Sequence, residues 1–179
     1  MEETFNTYSP TELGKILSNL NLVGSKITKI ESPSIVFDSQ KTERLDKDTQ
    51  KYEIAKKDVM IDQNVILTFD NGKKIGFDFP SASHVFVYSY KSDYEMDNIR
   101  YRDNKPTVAD IFPEVIDKTI NNFKIHSTKN IDDLGYDYQD DGFDENQEAF
   151  ITGFNFILSD NSRIGFECDM DYTIFHYER

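Results

Sequence analysis

The sequence predicts an α+β protein built by tandem duplication of one unit, a helix followed by an antiparallel β-sheet (α-β-β-β-β in each copy), with pseudo-twofold symmetry. Three observations carry this expectation. The stretch from Asn64 to Tyr90 (NVILTFDNGKKIGFDFPSASHVFVYSY) is matched without a gap by Gly153 to Arg179 (GFNFILSDNSRIGFECDMDYTIFHYER), so that Ile75, Gly76, Phe77, Phe86 and Tyr88 meet Ile164, Gly165, Phe166, Phe175 and Tyr177. Apolar residues alternate along both stretches, the period of a half-buried strand. A helix signature precedes the first copy, and Lys105-Pro106-Thr107 with Ile111, Phe112, Val115 and Ile116 repeats it before the second. The expected division is a first copy at 9–92, a linker at 93–104 and a second copy at 105–179. With a period of roughly 90 to 96 residues and only two copies, a solenoid is excluded.

Each element has a local reason. Ser9-Pro10-Thr11-Glu12 is a capping box with Pro at the first helical position, and Leu13, Ile16, Leu17 and Leu20 follow at helical spacing. The helix should stop between Asn21 and Gly24. Lys26 to Phe37 reads as one or two short strands broken at Ser32-Pro33. Residues 39–58 mix charges without an apolar stripe and predict a mobile loop or loose helix. Ile61, Val65, Leu67 and Phe69 then alternate as one strand, with Phe150, Phe154, Phe156 and Leu158 as its counterpart.

The turn that follows is fixed by the hydrophobic pattern. A two-residue loop at Asn71-Gly72 would set Leu67 opposite Gly76 and turn Ile75 and Phe77 to the wrong face. A three-residue loop, Asp70-Asn71-Gly72, sets Leu67 against Ile75 and Val65 against Phe77. Its third position needs a left-handed residue, which Gly72 and its counterpart Asn161 tolerate. Gly76 and Gly165 recur on the strand face opposite the apolar one, where Gly weakens a strand unless something comes close; a helix or a partner's backbone is expected there.

Charge narrows the function. The net charge of −13 divides into 15 acids and 12 bases over residues 1–95, and 18 acids and 8 bases over 96–179. Asp132 to Glu148 (DDLGYDYQDDGFDENQE) holds eight acids and no base. Such a surface repels nucleic-acid phosphates and acidic membranes and steers toward a basic partner. The acidic start Met1-Glu2-Glu3 is no signal peptide, and no run reaches the roughly 18 apolar residues of a membrane span, so a cytoplasmic protein is expected. The lone Cys168 forms no internal disulfide and reads as a buried structural thiol.

Chemistry-bearing motifs are sparse. Asp137-Tyr138-Gln139-Asp140-Asp141-Gly142, with Glu148 at the twelfth position, resembles the spacing of an EF-hand calcium loop, and Asp137, Asp141 and Glu148 are its candidate ligands. Position three holds Gln and position eight Asp144, and the duplication puts strands on either side, so a solvated acidic loop is favoured over a Ca2+ site and no cofactor is expected. His84, His126 and His176 match Thr173, Glu31 and Val87 in the other copy and read as strand or edge histidines. No nucleophile, zinc or phosphate-loop motif is present. The expected function is therefore non-enzymatic: an acidic protein that inhibits or masks a basic partner such as a nuclease or toxin, as an immunity protein, antitoxin or nucleic-acid mimic does. The acidic loop, Asp132, Asp133, Asp137, Asp140, Asp141, Asp144, Glu145 and Glu148, is its expected contact surface. The alternatives are a small hydrolase using Asp or Glu from a cleft between the copies, and a calcium-dependent interaction module.

Overall fold

A computed structural model describes residues 3–32, 35–38, 56–61, 64–81, 83–91, 112–130, 149–169 and 172–179. These residues form eleven strands, one α-helix and one 3-10 turn. The protein is mostly β, which corrects the α+β expectation of a helix in each copy. The chain runs through β1 (Glu3–Thr7), α1 (Pro10–Asn19), β2 (Ile27–Glu31), β3 (Ile35–Asp38), β4 (Lys56–Ile61), β5 (Val65–Phe69), β6 (Lys74–Ser81) and β7 (His84–Tyr90). After the 3-10 turn Pro113–Val115 come β8 (Ile120–Thr128), β9 (Phe150–Leu158), β10 (Arg163–Asp169) and β11 (Tyr172–Glu178).

The one α-helix among the described residues forms where its signals are complete. Ser9 caps it by accepting from the Glu12 backbone N–H, and Thr7 closes the box, its hydroxyl donating to Glu12 Oε2 at 2.7 Å while accepting the Ser9 N–H at 2.9 Å. Leu13 and Leu17 are buried. In the second half Pro113 falls inside the apolar run. It disfavours helical backbone at Phe112 (φ −121°, ψ 60°), only the 3-10 turn forms, and Ile116 is already extended. Ile111 and the residues before it lie outside the described residues.

Two antiparallel sheets result, one in the order β1-β7-β6-β5-β2 and one in the order β3-β4-β11-β10-β9-β8. They face each other across one core. Phe77 from β6 meets Phe154, Phe156 and Phe166 of the opposite sheet with ring centroids 5.1, 5.6 and 5.0 Å away. The halves are interleaved, because β3 pairs with β4 and β4 with β11, so that two strands of the first half join the second half's sheet. Ile61, expected to begin the strand that holds Leu67, lies instead in β4 opposite Thr173.

The three-residue turn stands as the hydrophobic pattern requires. Leu67 pairs with Ile75 and Val65 with Phe77, and in the other sheet Phe156 pairs with Ile164 and Phe154 with Phe166. Gly72 and Asn161 are both left-handed, at φ 82° and 66°. The gapless match fails one strand later. Phe77 faces Val87, whereas Phe166 faces Phe175, a slip of one residue. Its cause is Pro80, which has no N–H for the ladder, and the β6–β7 register shifts between Asp78 and Ser81. A one-residue slip exchanges faces. Phe86 and Tyr88 therefore lie outside the sandwich while Phe175 and Tyr177 point into the core, and His176, not Tyr177, takes the place of Tyr88.

The sheets are also joined by backbone at one corner. Gly24 N–H donates to Ile120 O at 2.8 Å, Ile120 N–H to Ser25 O at 3.0 Å, Ile27 N–H to Lys118 O at 2.9 Å and Asp117 N–H to Ile27 O at 2.8 Å. A local twofold through the Lys26–Thr119 bridge exchanges these bonds in pairs. It also exchanges Gly24 and Asp117, both left-handed (φ 88° and 68°), and the buried Leu22 and Val115. The sequence match of Glu31 with His126 is thus two residues out of register: Ile30 faces Leu67, and Phe123 faces the matching Phe156.

At the opposite corner the bulge leaves the Phe79 N–H outside the ladder, and the buried Thr173 hydroxyl accepts it at 2.9 Å across the sandwich. Replacing Thr173 with the isosteric Val strands that donor, so Thr173→Val should lower unfolding stability by about 1–3 kcal/mol. Chemical denaturation of both proteins checks this, and an unchanged midpoint would show that the bond contributes nothing.

Candidate functional site

Strand parity sends most polar side chains of the described strands to the outer sheet faces, Thr173 being an exception. On the five-stranded sheet, His84, Phe86, Tyr88 and Tyr90 form a row along β7. Tyr8 stacks on His84 with centroids 4.0 Å apart, His84 tilts against Phe86 at 4.5 Å, and the remaining pairs follow at 6.0 and 6.1 Å. Burial pushes the His84 imidazole below its ordinary value. Burial, aided by the Asp78 carboxylate, raises the Tyr88 phenol. Asn64 Nδ2 donates to the Tyr90 hydroxyl, and the two side chains roof Gly76, where a β-carbon would stand 3.0 Å from Asn64 Nδ2 and 2.8 Å from Tyr90 Cε2.

The six-stranded sheet has a second roofed glycine. His176 pairs with Gly165 on one side and Asp58 on the other, and Asn155 pairs with Gly165 from β9. A β-carbon on Gly165 would lie 2.1 Å from His176 Nε2 and 2.5 Å from Asn155 Oδ1. Glu167 Oε1 stands 3.5 Å from His176 Nδ1. What approaches the two recurrent glycines is therefore the sheet's own side chains, where a helix or a partner's backbone was expected.

A third polar group sits beside the twofold ladder. Lys118 Nζ forms an ion pair with Asp160 Oδ2 at 2.7 Å and donates to Tyr177 OH at 3.0 Å and Ser162 Oγ at 3.1 Å. The hydrogen bonds from Lys118 and Ser162 hold the Asp160 carboxyl well below the usual carboxylate range. Although burial alone would raise the Tyr177 phenol, hydrogen bonds with Lys118, Arg179 and Ser162 keep it below its ordinary value. Lys118 is raised, its burial outweighed by Asp160 and Tyr177. With three acceptors around one ammonium, the cluster anchors the β9–β10 loop to the start of β8.

The eight acids expected to contact a partner, Asp132, Asp133, Asp137, Asp140, Asp141, Asp144, Glu145 and Glu148, lie outside the described residues, and with them the calcium candidates. No group of three or more His, Cys, Asp or Glu side chains among the described residues could hold a metal ion. The space between the sheets, where a hydrolase cleft was the alternative, is filled there by phenylalanines. Cys168 is half-buried, its Sγ donating to Ser81 O at 3.4 Å. No helix among the described residues is long and apolar enough to cross a membrane. His84, His126 and His176 all lie in strands, as expected. Asp58, Asn155, Glu167 and Lys118 were not picked out from the sequence; the recurrent Gly165 was the signal near the first three, and the turn residue Asn161 the one near Lys118's partners. Family models, curated proteins and solved structures yield no match to this chain.

Gly165→Ala must displace His176 and Asn155 and should cost about 1–3 kcal/mol. Gly76→Ala, which meets the end of the Tyr90 ring, should cost less. Thermal melts of the two variants check the order. Because the folded His84 pKa is lowered, the unfolded chain takes up a proton first, and stability present at neutral pH declines as pH falls below about 6.5. His84→Phe keeps a ring in the stack without a titrating nitrogen. It should therefore lose less melting temperature between pH 7.5 and 5.5 than the parent; equal losses would show that His84 does not contribute.

Proposed function

We propose that the protein is a non-enzymatic, cytoplasmic binding protein whose acidic segment occupies a basic surface of another protein, inhibiting or masking it. The observation that carries this reading is how the charge is divided. The described residues hold 13 acids and 13 bases and are electrically neutral. The remaining residues hold 20 acids and 7 bases, so the whole net charge of −13 belongs to them. Its densest part, Asp132 to Glu148 with eight acids and no base, lies between β8 and β9.

Those strands are antiparallel neighbours, and Thr128 pairs with Phe150, so both ends of the acidic stretch leave from one end of the sheet. Concentrated negative charge on a neutral body steers association with a basic surface, and steering acts chiefly on the on-rate. The same field disfavours direct contact with nucleic acid, in keeping with a mimic that competes for a nuclease or toxin.

The test begins with affinity capture of the partner and continues with association kinetics at several ionic strengths. Replacing the eight acids by Asn and Gln should slow association by about tenfold or more at low salt and flatten its salt dependence. Melting temperature should hardly change. An unaltered on-rate and salt slope would overturn the proposal.

A further inference from the structure

His84 opens β7 on the outer face of the five-stranded sheet and is held between neighbouring rings. The Tyr8 ring stacks on the imidazole with centroids 4.0 Å apart and planes 16° from parallel, and Phe86 tilts against it at 4.5 Å. The backbone beneath is fixed: Ser81 pairs with His84, and Ser83 next to it is left-handed (φ 62°) and fully buried. Of the two ring nitrogens, Nε2 is buried and has no hydrogen-bond partner. The titratable groups on the elements around the imidazole are the Tyr8 phenol, Glu12 of α1, Asp78 of β6, the Tyr88 phenol and the Cys168 thiol. Thr7 engages Glu12, Asp78 pairs with Phe86, and Cys168 donates to the Ser81 carbonyl. Glu3 and Lys74 stand at the far end of β7, opposite Ser89 and Tyr90. Burial is what lowers the His84 imidazole, with no charged neighbour contributing.

A neutral imidazole carries one N–H and one lone pair. A proton on Nε2 would be a buried donor without an acceptor, so the neutral ring carries its proton on Nδ1. Binding a second proton puts a charged donor at Nε2, where it meets neither water nor an acceptor. The faces of Tyr8 and Phe86 attract a cation, yet a ring face does not replace the acceptor that this N–H needs. Because the backbone is fixed, the imidazolium reaches water by rotating its side chain, and that rotation ends the stack.

We propose that the Tyr8–His84 stack is an acid-released clasp, in which protonation of His84 turns its ring outward and loosens the junction between β1 and α1. Tyr8 is that junction, lying between Thr7, the last residue of β1, and Ser9, the helix cap. β1 is the edge strand of its sheet, and β7 is its one strand neighbour among the described residues. With a lowered folded pKa, the stabilisation given by the clasp is complete above about 6.5 and is lost as pH falls to the folded value. The loosening is local, because the phenylalanines between the sheets take no part in it.

Imidazole NMR and amide hydrogen exchange on the histidine-labelled full chain test this. The His84 signals are assigned by their absence in His84→Phe or, if that variant does not fold, by their displacement in Tyr8→Ala. Expected at pH 7.5 are a single ring proton, on Nδ1, and ring-current shifts from Tyr8. The titration midpoint should lie below that of an ordinary histidine, and the ring-current shifts should vanish through it. Over the same range the β1 amides, corrected for the intrinsic effect of pH, should exchange several-fold faster, an acceleration that His84→Phe removes. Tyr8→Ala, which uncovers the imidazole, should return the midpoint toward the ordinary value. A midpoint at or above that value, Tyr8 shifts that survive protonation, or β1 exchange that does not follow the His84 titration would overturn the proposal.

Discussion

The fold depends on four backbone hydrogen bonds between the segments Gly24–Ile27 and Asp117–Ile120. Each segment feeds the edge strand of a different sheet, so pairing them fixes how the sheets meet before any side chain is considered. The geometry requires a left-handed residue at the start of each segment. Gly24 adopts it without strain, and Asp117 is among the few other residue types that tolerate it. Leu22 and Val115, two residues before these positions, seal the core under the ladder, while Lys118 ties it to the β9–β10 loop through Asp160.

With that corner set, the phenylalanines define the rest. Phe77 interlocks with Phe154, Phe156 and Phe166, and Phe175 closes against Phe166 with centroids 5.1 Å apart. Two matching hairpins supply these rings, yet they do not end alike. Pro80 forces a bulge, the bulge frees the Phe79 N–H, and Thr173 from the opposite sheet takes it up. The same bulge turns Phe86 and Tyr88 outward into the aromatic row. One residue without an N–H thus separates an aromatic outer face from a histidine, amide and carboxylate outer face.

Function, as proposed, rests on the acidic stretch between β8 and β9, while the described residues balance their charges.

The sequence by itself determined the local chemistry: the capped first helix, the three-residue turns ending at Gly72 and Asn161, the alternating core residues of β5, β6, β9 and β10, and the acidic stretch. Each follows from interactions within a few residues or across one hairpin. The sequence did not determine the absence of a second described helix, because an apolar run that suits a helix is overruled by Pro113 and by burial of Phe112 against Phe175. Nor did it reveal the exchange of β3 and β4 between sheets, the slip in the last strand or the neighbours of His176. Those are decided by long-range pairing: a strand's periodicity says which residues share a face but not which strand lies beside it, and a one-residue bulge reverses the face without disturbing the pattern.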